Sequence, residues 1–349
     1  MAKALLMKGN EAMAEAAVIA GCRYYFGYPI TPQNEVAAYM AMRLPQVGGT
    51  FLQAESELAS INMVFGAAAA GVRVMTSSSS PGISLMQEGV SYLAGAELPA
   101  VMANIMRGGP GLGNIAGAQG DYFQATKGGG HGDYRNIVLA PSSVQELADL
   151  TVLAFDLADR YRMVAMILGD GYLGQMSEAL VLPQASGQVF DKSGWTLTGA
   201  VGRPPRIIYS LRLAPEDGVE KVNLRLQAKY RQVEAAEVRF ESYRCEDAEV
   251  LLVGFGLASR ICKAAVNALR ERHVRAGLFR PITLWPFPSQ ALRETALRMR
   301  RVLVVEMNSG QMLEDVRQAV GERVPVEFYG RMGAMLVEVE PIVERITRE

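Results

Sequence analysis

The sequence predicts an α/β protein: a parallel, doubly wound sheet followed by a second, smaller α/β domain. Three observations predict it. Short apolar runs alternate with helix-length segments along both halves of the chain. A stretch broken by Pro183, Gly187, Gly199, Gly202, Pro204 and Pro205 separates the two alternating regions. At 349 residues, two domains are a better fit than one. The expected division is 1–182, a connecting segment 183–245, and 246–349.

Residues 9–20 have the apolar stripe of a helix, which Gly21 ends. Residues 23–28 read as a short buried strand. Pro29-Ile30-Thr31-Pro32 stops it, and residues 33–42 form the next helix. Thr31 therefore sits at a strand's carboxyl end, between prolines that restrict the backbone on both sides. It is either a turn residue capping the next helix or a ligand contact.

Residues 50–52 begin a second strand, which runs into Gln53-Ala54-Glu55-Ser56-Glu57 and a helix rich in Ala and Gly. Ser56 suits the cap, and Glu57 the first turn, where the helix dipole favours an acid. A helix with so little bulk invites close packing, and a carboxylate at the rim of an apolar wall is well placed to exchange protons. The unit then recurs. Residues 73–76 are a strand, and Ser77-Ser78-Ser79-Ser80-Pro81-Gly82 leads into a helix over 83–94. That hydroxyl run suits either a capped polar turn or a site for an anion or carbonyl oxygen.

Residues 100–106 are the next strand, with Arg107 just past its end. The glycine-rich stretch 108–132, with Gln119, Asp121, Gln124, Lys127 and His131, reads as a long unstructured loop of the functional kind. Arg107 is either a surface residue or a bidentate carboxylate ligand. A strand at 136–140, a helix at 144–161 and a strand at 163–168 complete the first domain. In such sheets ligands bind beyond the carboxyl ends of the strands. Thr31, Glu57, the serine run and Arg107 all fall there.

Residues 219–243 read as one highly charged helix with little apolar face, lying over the surface or reaching a neighbouring subunit. The second domain begins with a strand at 249–253 and a helix at 259–272. A strand at 274–284, a strand at 301–306 and a helix at 312–320 follow. Gly254-x-Gly256 lacks the third glycine of a dinucleotide fingerprint, since Ser259 stands there.

Composition excludes several function classes. A net charge of −1 argues against nucleic acid or an anionic membrane as partner. No apolar run is long enough to span a membrane, and no signal peptide is visible. Cys22, Cys245 and Cys262 are too scattered for an iron–sulfur cluster or a zinc site, and their sparse, odd number fits a reducing cytoplasm. With His131 and His273 as the only histidines, a histidine metal site or triad is not expected.

Several motifs together resemble a known family. They are Gly27-Tyr28-Pro29-Ile30-Thr31-Pro32, Glu57 before the small-residue helix, Ser80-Pro81-Gly82 with Met86-Gln87-Glu88-Gly89, and Arg107-Gly108-Gly109-Pro110. Leu278 to Pro286 and Glu306 to Gln311 extend the match into the second domain. The resemblance is to the alpha subunit of thiamine-diphosphate-dependent 2-oxoacid:ferredoxin oxidoreductases. Met7-Lys8-Gly9-Asn10-Glu11-Ala12 looks most like the 3-methyl-2-oxobutanoate (2-oxoisovalerate) type.

The resemblance implies a pyrimidine-binding first domain and a second domain like the carboxyl-terminal domain of transketolase. It implies that Glu57 contacts a ring nitrogen of the aminopyrimidine, with Pro29 and Ile30 beside the cofactor. Protonation at that nitrogen favours the imino tautomer, whose exocyclic nitrogen removes the thiazolium proton. Thr31 would bond the 2-oxo acid or its adduct, and Arg107 the carboxylate that leaves as carbon dioxide. Glu55 receives no role.

The family keeps the diphosphate, Mg2+ and an iron–sulfur cluster on a beta subunit, with small gamma and ferredoxin-like delta subunits in many members. Gly169-Asp170-Gly171 looks like the beta subunit's diphosphate motif, but no Asn follows it before Asn223, so it reads as a structural turn. The chain is expected to hold half a cofactor site, to be inactive alone, and to assemble as at least two alpha and two beta chains. The expected activity is oxidative decarboxylation of a 2-oxo acid, with coenzyme A and ferredoxin as the other substrates. A 2-oxoglutarate enzyme, with Lys127 or His131 as second anchor, and a non-catalytic partner-binding module are the alternatives.

Overall fold

The computed structural model describes residues 4–214 and 218–348. Its larger sheet is built from β2 (Tyr24–Gly27), β3 (Thr50–Gln53), β4 (Val74–Ser78), β5 (Ala100–Gly108), β7 (Ile137–Leu139) and β8 (Val164–Asp170). These run parallel in the order β7-β8-β5-β4-β2-β3. Strands β4, β5, β7 and β8 are buried at every position, as continuous apolar strands covered on both faces must be.

Helices α1 (Gly9–Ile19), α2 (Asn34–Gln46) and α6 (Val144–Tyr161) pack together in one layer. Helices α3 (Glu57–Ala69) and α4 (Ser80–Gly95) pack against each other in the other. The doubly wound class is therefore as the sequence predicts. Local chemistry sets the helix ends. Ser143 Oγ accepts from the Glu146 amide at 3.1 Å, while Glu146 Oε2 accepts from the Ser142 amide at 2.8 Å. That reciprocal cap, worth about 1 kcal/mol, starts α6 at the predicted residue.

The second sheet orders β10 (Phe240–Tyr243), β12 (Ala276–Pro281), β11 (Val250–Val253), β14 (Arg301–Glu306) and β15 (Val326–Gly330), parallel except for β10. Helices α9 (Gly256–Glu271) and α12 (Val339–Thr347) pack together beside it, as do α10 (Ser289–Ala296) and α11 (Gln311–Val320). Strand β13 (Thr283–Trp285) leaves this sheet and adds antiparallel to β7 of the first. The strand expected over 274–284 is thus two strands in two sheets. A small ribbon of β1 (Leu5–Lys8) and β9 (Ser177–Leu180) lies apart.

Three further expectations change. The stretch 108–132 is not unstructured: β6 (Asn114–Gly117) folds back antiparallel on β5, and α5 (Tyr122–Lys127) follows. Gly113 makes that turn, with φ of 63° and the Gly108 carbonyl where a Cβ would stand. Arg107 lies inside β5 rather than beyond it, because β6 extends the pairing. The charged helix is α8 (Val219–Ala236) and ends before β10. It has a narrow apolar stripe, Val222, Leu226, Tyr230 and Val233, all buried. Tyr230 meets the Trp285 ring edge-on at 5.7 Å.

Candidate active site at the strand ends

From β2 the chain steps outward to β3, then crosses back to β4 on the other side. That reversal opens a crevice at the carboxyl ends of β2 and β4, the place where open α/β sheets take ligands. Glu57 is the first residue of α3 and is buried, while Glu55 is exposed. Ser56 caps the helix, its Oγ 3.2 Å from the Ala59 amide. The Glu57 carboxylate turns toward the first turn of α4. Its Oε1 is 3.5 Å from Ser78 Oγ. A Cβ on Gly82 would come within 2.4 Å of the same oxygen and 2.0 Å of Ser78 Oγ, so only glycine admits this approach. The acid is thereby held at the amino ends of two helices.

All four residues of the serine run are buried. Ser77 Oγ donates to Gln33 Oε1 at 2.6 Å and is 2.7 Å from the Tyr25 hydroxyl, tying the Thr31 turn to β4. Ser79 holds the cap position of α4 but makes no capping bond. Its Oγ, Thr76 Oγ1 and Gln33 Nε2 are buried without a hydrogen-bond partner among the described residues. Of the two readings of the run, a capped polar turn does not describe this geometry.

Arg107 is buried, and its guanidinium bonds only carbonyl oxygens. Nη1 donates to Thr31 O and Nη2 to Leu112 O, both at 3.0 Å, and Nε has no partner among the described residues. The positive charge is thus oriented without a carboxylate among the described residues. Thr31 does not cap α2; Gln33 occupies that position, and Thr31 Oγ1 accepts from Asn34 Nδ2 at 3.3 Å. Behind Arg107, Ser80 Oγ donates to Asp121 Oδ2 at 2.6 Å and lies 3.1 Å from the Arg107 amide. Asn104 Nδ2 donates to the same Asp121 oxygen at 2.9 Å. Burial pushes the Asp121 carboxyl above its usual range, partly offset by the bonds from Ser80 and Asn104.

The start of α4 therefore joins Glu57 through Ser78 and Gly82 to Arg107 through Ser80, and Arg107 reaches Thr31. Pro29 is exposed and Ile30 half-buried at the rim. Lys127 pairs with Asp315, and His131 is exposed on a different cavity with Tyr92 and Ser210, so neither anchor joins this group. Asp170 is a structural residue: its Oδ1 accepts the Tyr172 and Leu173 amides at the start of α7 (Gly171–Gln175). Sequence reasoning missed Gly82, Gln33 and Asn104 as site residues. The motif Ser80-Pro81-Gly82 held the signal for the glycine, but its contact 25 positions upstream is a property of the fold.

Two family models match the chain. "Pyruvate flavodoxin/ferredoxin oxidoreductase, thiamine diP-bdg" covers residues 15–194, and "Pyruvate:ferredoxin oxidoreductase core domain II" covers 248–342. The ketoisovalerate oxidoreductase subunit VorB of Methanothermobacter thermautotrophicus is 52% identical over 341 residues, 98% of this chain and 96% of the relative. The chain belongs to the 2-oxoacid:ferredoxin oxidoreductase family. It is an alpha-type subunit, with the family's thiamine-diphosphate-binding unit in its first half.

The 2-oxoglutarate synthase subunit KorA of the same organism is 36% identical over 382 residues, 100% of this chain and 99% of the relative. A solved structure of 2-oxoglutarate:ferredoxin oxidoreductase from Magnetococcus marinus, with 2-oxoglutarate, coenzyme A and succinyl-CoA bound, is similar with a TM-score of 0.88. Identity is 28%, and the match covers 98% of this chain and 64% of that one. A split-gene transketolase, solved as an inactive beta4 tetramer, shares the fold at a TM-score of 0.60 and 12% identity, over 98% of this chain and 97% of that one. No helix among the described residues is long and apolar enough to cross a membrane.

Proposed function

We propose that this alpha-type subunit belongs to an enzyme that oxidatively decarboxylates 3-methyl-2-oxobutanoate (ketoisovalerate). The C1–C2 bond of the acid breaks and carbon dioxide leaves. The acyl carbon forms a thioester with coenzyme A, and two electrons pass to ferredoxin. The observation that carries this reading is 52% identity to a ketoisovalerate oxidoreductase subunit across nearly the whole of both chains.

The site geometry supports it. Thiamine diphosphate, when bound, supplies the carbon that attacks the 2-oxo group and takes up the electron pair left by carbon dioxide. The residues present fit its pyrimidine half. They offer a buried carboxylate, a glycine surface where a Cβ would collide, and unpaired buried polar atoms at Ser79 and Gln33. Glu57 would hold and exchange a proton with the pyrimidine ring, with Pro29 and Ile30 at its rim. Thr31 would hydrogen-bond the 2-oxo acid. Arg107, already oriented and short of a counter-charge, would pair with the acid's carboxylate.

Beside Thr31 lies a cavity of about 780 Å³, with Pro32, Ile115, Ala116 and Met176 on its apolar side and Asn34, Glu35 and Gln175 on its polar side. The apolar side suits a branched hydrocarbon, and the Glu35 carboxylate in the lining disfavours a second carboxylate there.

In this reading residues 1–182 form the pyrimidine-binding domain and 246–349 the transketolase-like domain, with 183–245 between them. A beta subunit would bring the diphosphate and Mg2+ site and an iron–sulfur cluster, with gamma and delta subunits completing the assembly. Among the described residues no group of three or more His, Cys, Asp or Glu is placed to hold a metal, and Cys22, Cys245 and Cys262 are buried and free.

The test is co-purification with the native partner chains, followed by viologen reduction with a panel of 2-oxo acids and coenzyme A. The highest kcat/KM is expected for branched-chain acids. Preference for 2-oxoglutarate, or no activity that depends on thiamine diphosphate, overturns the reading.

A further inference from the structure

Just beyond the β5–β6 hairpin that carries Arg107, the chain is fastened to the second domain at a fully buried residue, Gln119. Its bonds all cross between the two domains. The Gln119 amide donates to Met307 O at 3.1 Å, and its Oε1 accepts from the Met307 amide at 3.0 Å. Nε2 donates to Phe255 O at 2.8 Å, and the Gln119 carbonyl accepts from Asn308 Nδ2 at 2.8 Å. The side chain thus completes a two-bond pairing with Met307 and spans to the start of α9.

Its place in the chain gives those bonds a purpose. Two residues before it, Gly117 pairs with Arg107. Two residues after it, Asp121 accepts from Ser80, whose Oγ lies 3.1 Å from the Arg107 amide. The chain leaves Arg107, turns, passes back beside it, is fastened to the second domain and returns behind it.

We propose that Gln119 is a positioning residue: through it the second domain sets the hairpin, and so the orientation of the Arg107 guanidinium toward the substrate carboxylate. This rests on the reading of Arg107 given above. Gln119 touches neither substrate nor cofactor in this account. The domains have other ties that do not involve it. Arg280 bonds both Glu146 oxygens at 2.6 and 2.7 Å, and β13 pairs with β7. Loss of the Gln119 bonds therefore loosens the hairpin without separating the domains.

The experiment uses Gln119→Met, which keeps the volume and loses both side-chain bonds, in the enzyme assembled with its partner chains. Gln119→Glu, which keeps only the acceptor for Met307, is the second variant should the first fail to assemble. Hydrogen exchange of amides 112–118 is expected to quicken roughly tenfold. KM for the 2-oxo acid is expected to rise roughly tenfold, with kcat and the affinity for thiamine diphosphate within about twofold of wild type. Unchanged exchange, or unchanged KM while Arg107→Met still raises it, overturns the proposal alone. A wild-type KM in Arg107→Met overturns instead the reading on which it rests.

Discussion

Gly82 and Glu57 are in contact across two helices: a Cβ on Gly82 would stand 2.4 Å from the Glu57 carboxylate. The amino end of α4 has no side chain at this point, and the acid fills the space. Gly82→Ala is therefore expected to displace Glu57 rather than unfold the protein, since alanine is the better helix former by about 1 kcal/mol. Turnover in the assembled enzyme should fall by roughly tenfold or more. Circular dichroism and viologen reduction, measured on the same preparation, check both halves of the expectation.

Arg107 spans two carbonyl oxygens, Thr31 O and Leu112 O, with separate arms of its guanidinium. Lysine has one head and cannot hold both while meeting a carboxylate with two parallel bonds. Arg107→Lys should raise KM for the 2-oxo acid by roughly tenfold or more. A steady-state comparison with wild type, at saturating coenzyme A, measures it.

Glu306 gives a pH dependence to stability. Burial pushes its carboxyl to about 7, although Asn308 Nδ2 and the amides of Met312 and Leu313 donate to it at 2.9–3.0 Å. Between the ordinary glutamate value and 7, the folded chain keeps a proton that the unfolded chain has lost. Stability contributed by this group is thus full at low pH and declines as pH rises through that window, by something on the order of 3 kcal/mol. Above pH 7 the contribution is flat. Thermal melts at pH 5 and pH 8 should differ less for Glu306→Gln than for wild type.

Much of the fold was legible because local rules and burial agree. The helix read over 144–161 is α6, and the apolar run 301–306 is β14 as read. What was not legible depends on partners distant in sequence. The glycines of 108–132 argue for loop, yet β6 and α5 form there. They do so because Gln119 is fastened to Met307, and Tyr122 donates to Asp315 at 2.5 Å. The stripe of α8 was hidden because only Val222, Leu226, Tyr230 and Val233 are apolar on that face of a charged helix.

The candidate site divides in the same way. Thr31, Glu57 and Arg107 stand out as chemistry at strand ends. Gly82, Gln33 and Asn104 matter only once Gly82 is seen against Glu57, Gln33 on Ser77 and Asn104 on the Ser80 amide. Lys127 looks like a free cation in sequence and is spent on Asp315.

If Glu57 exchanges a proton with the pyrimidine of bound thiamine diphosphate, its carboxyl group must speed ionisation of the thiazolium carbon. Deuterium exchange at the cofactor's thiazolium carbon, followed by quench and proton NMR in the assembled enzyme, tests it most directly. Glu57→Gln should fold and assemble as wild type and slow that exchange by roughly 10²-fold or more. Exchange at the wild-type rate in that variant, with the cofactor bound, would mean that Glu57 has no part in the proton transfer.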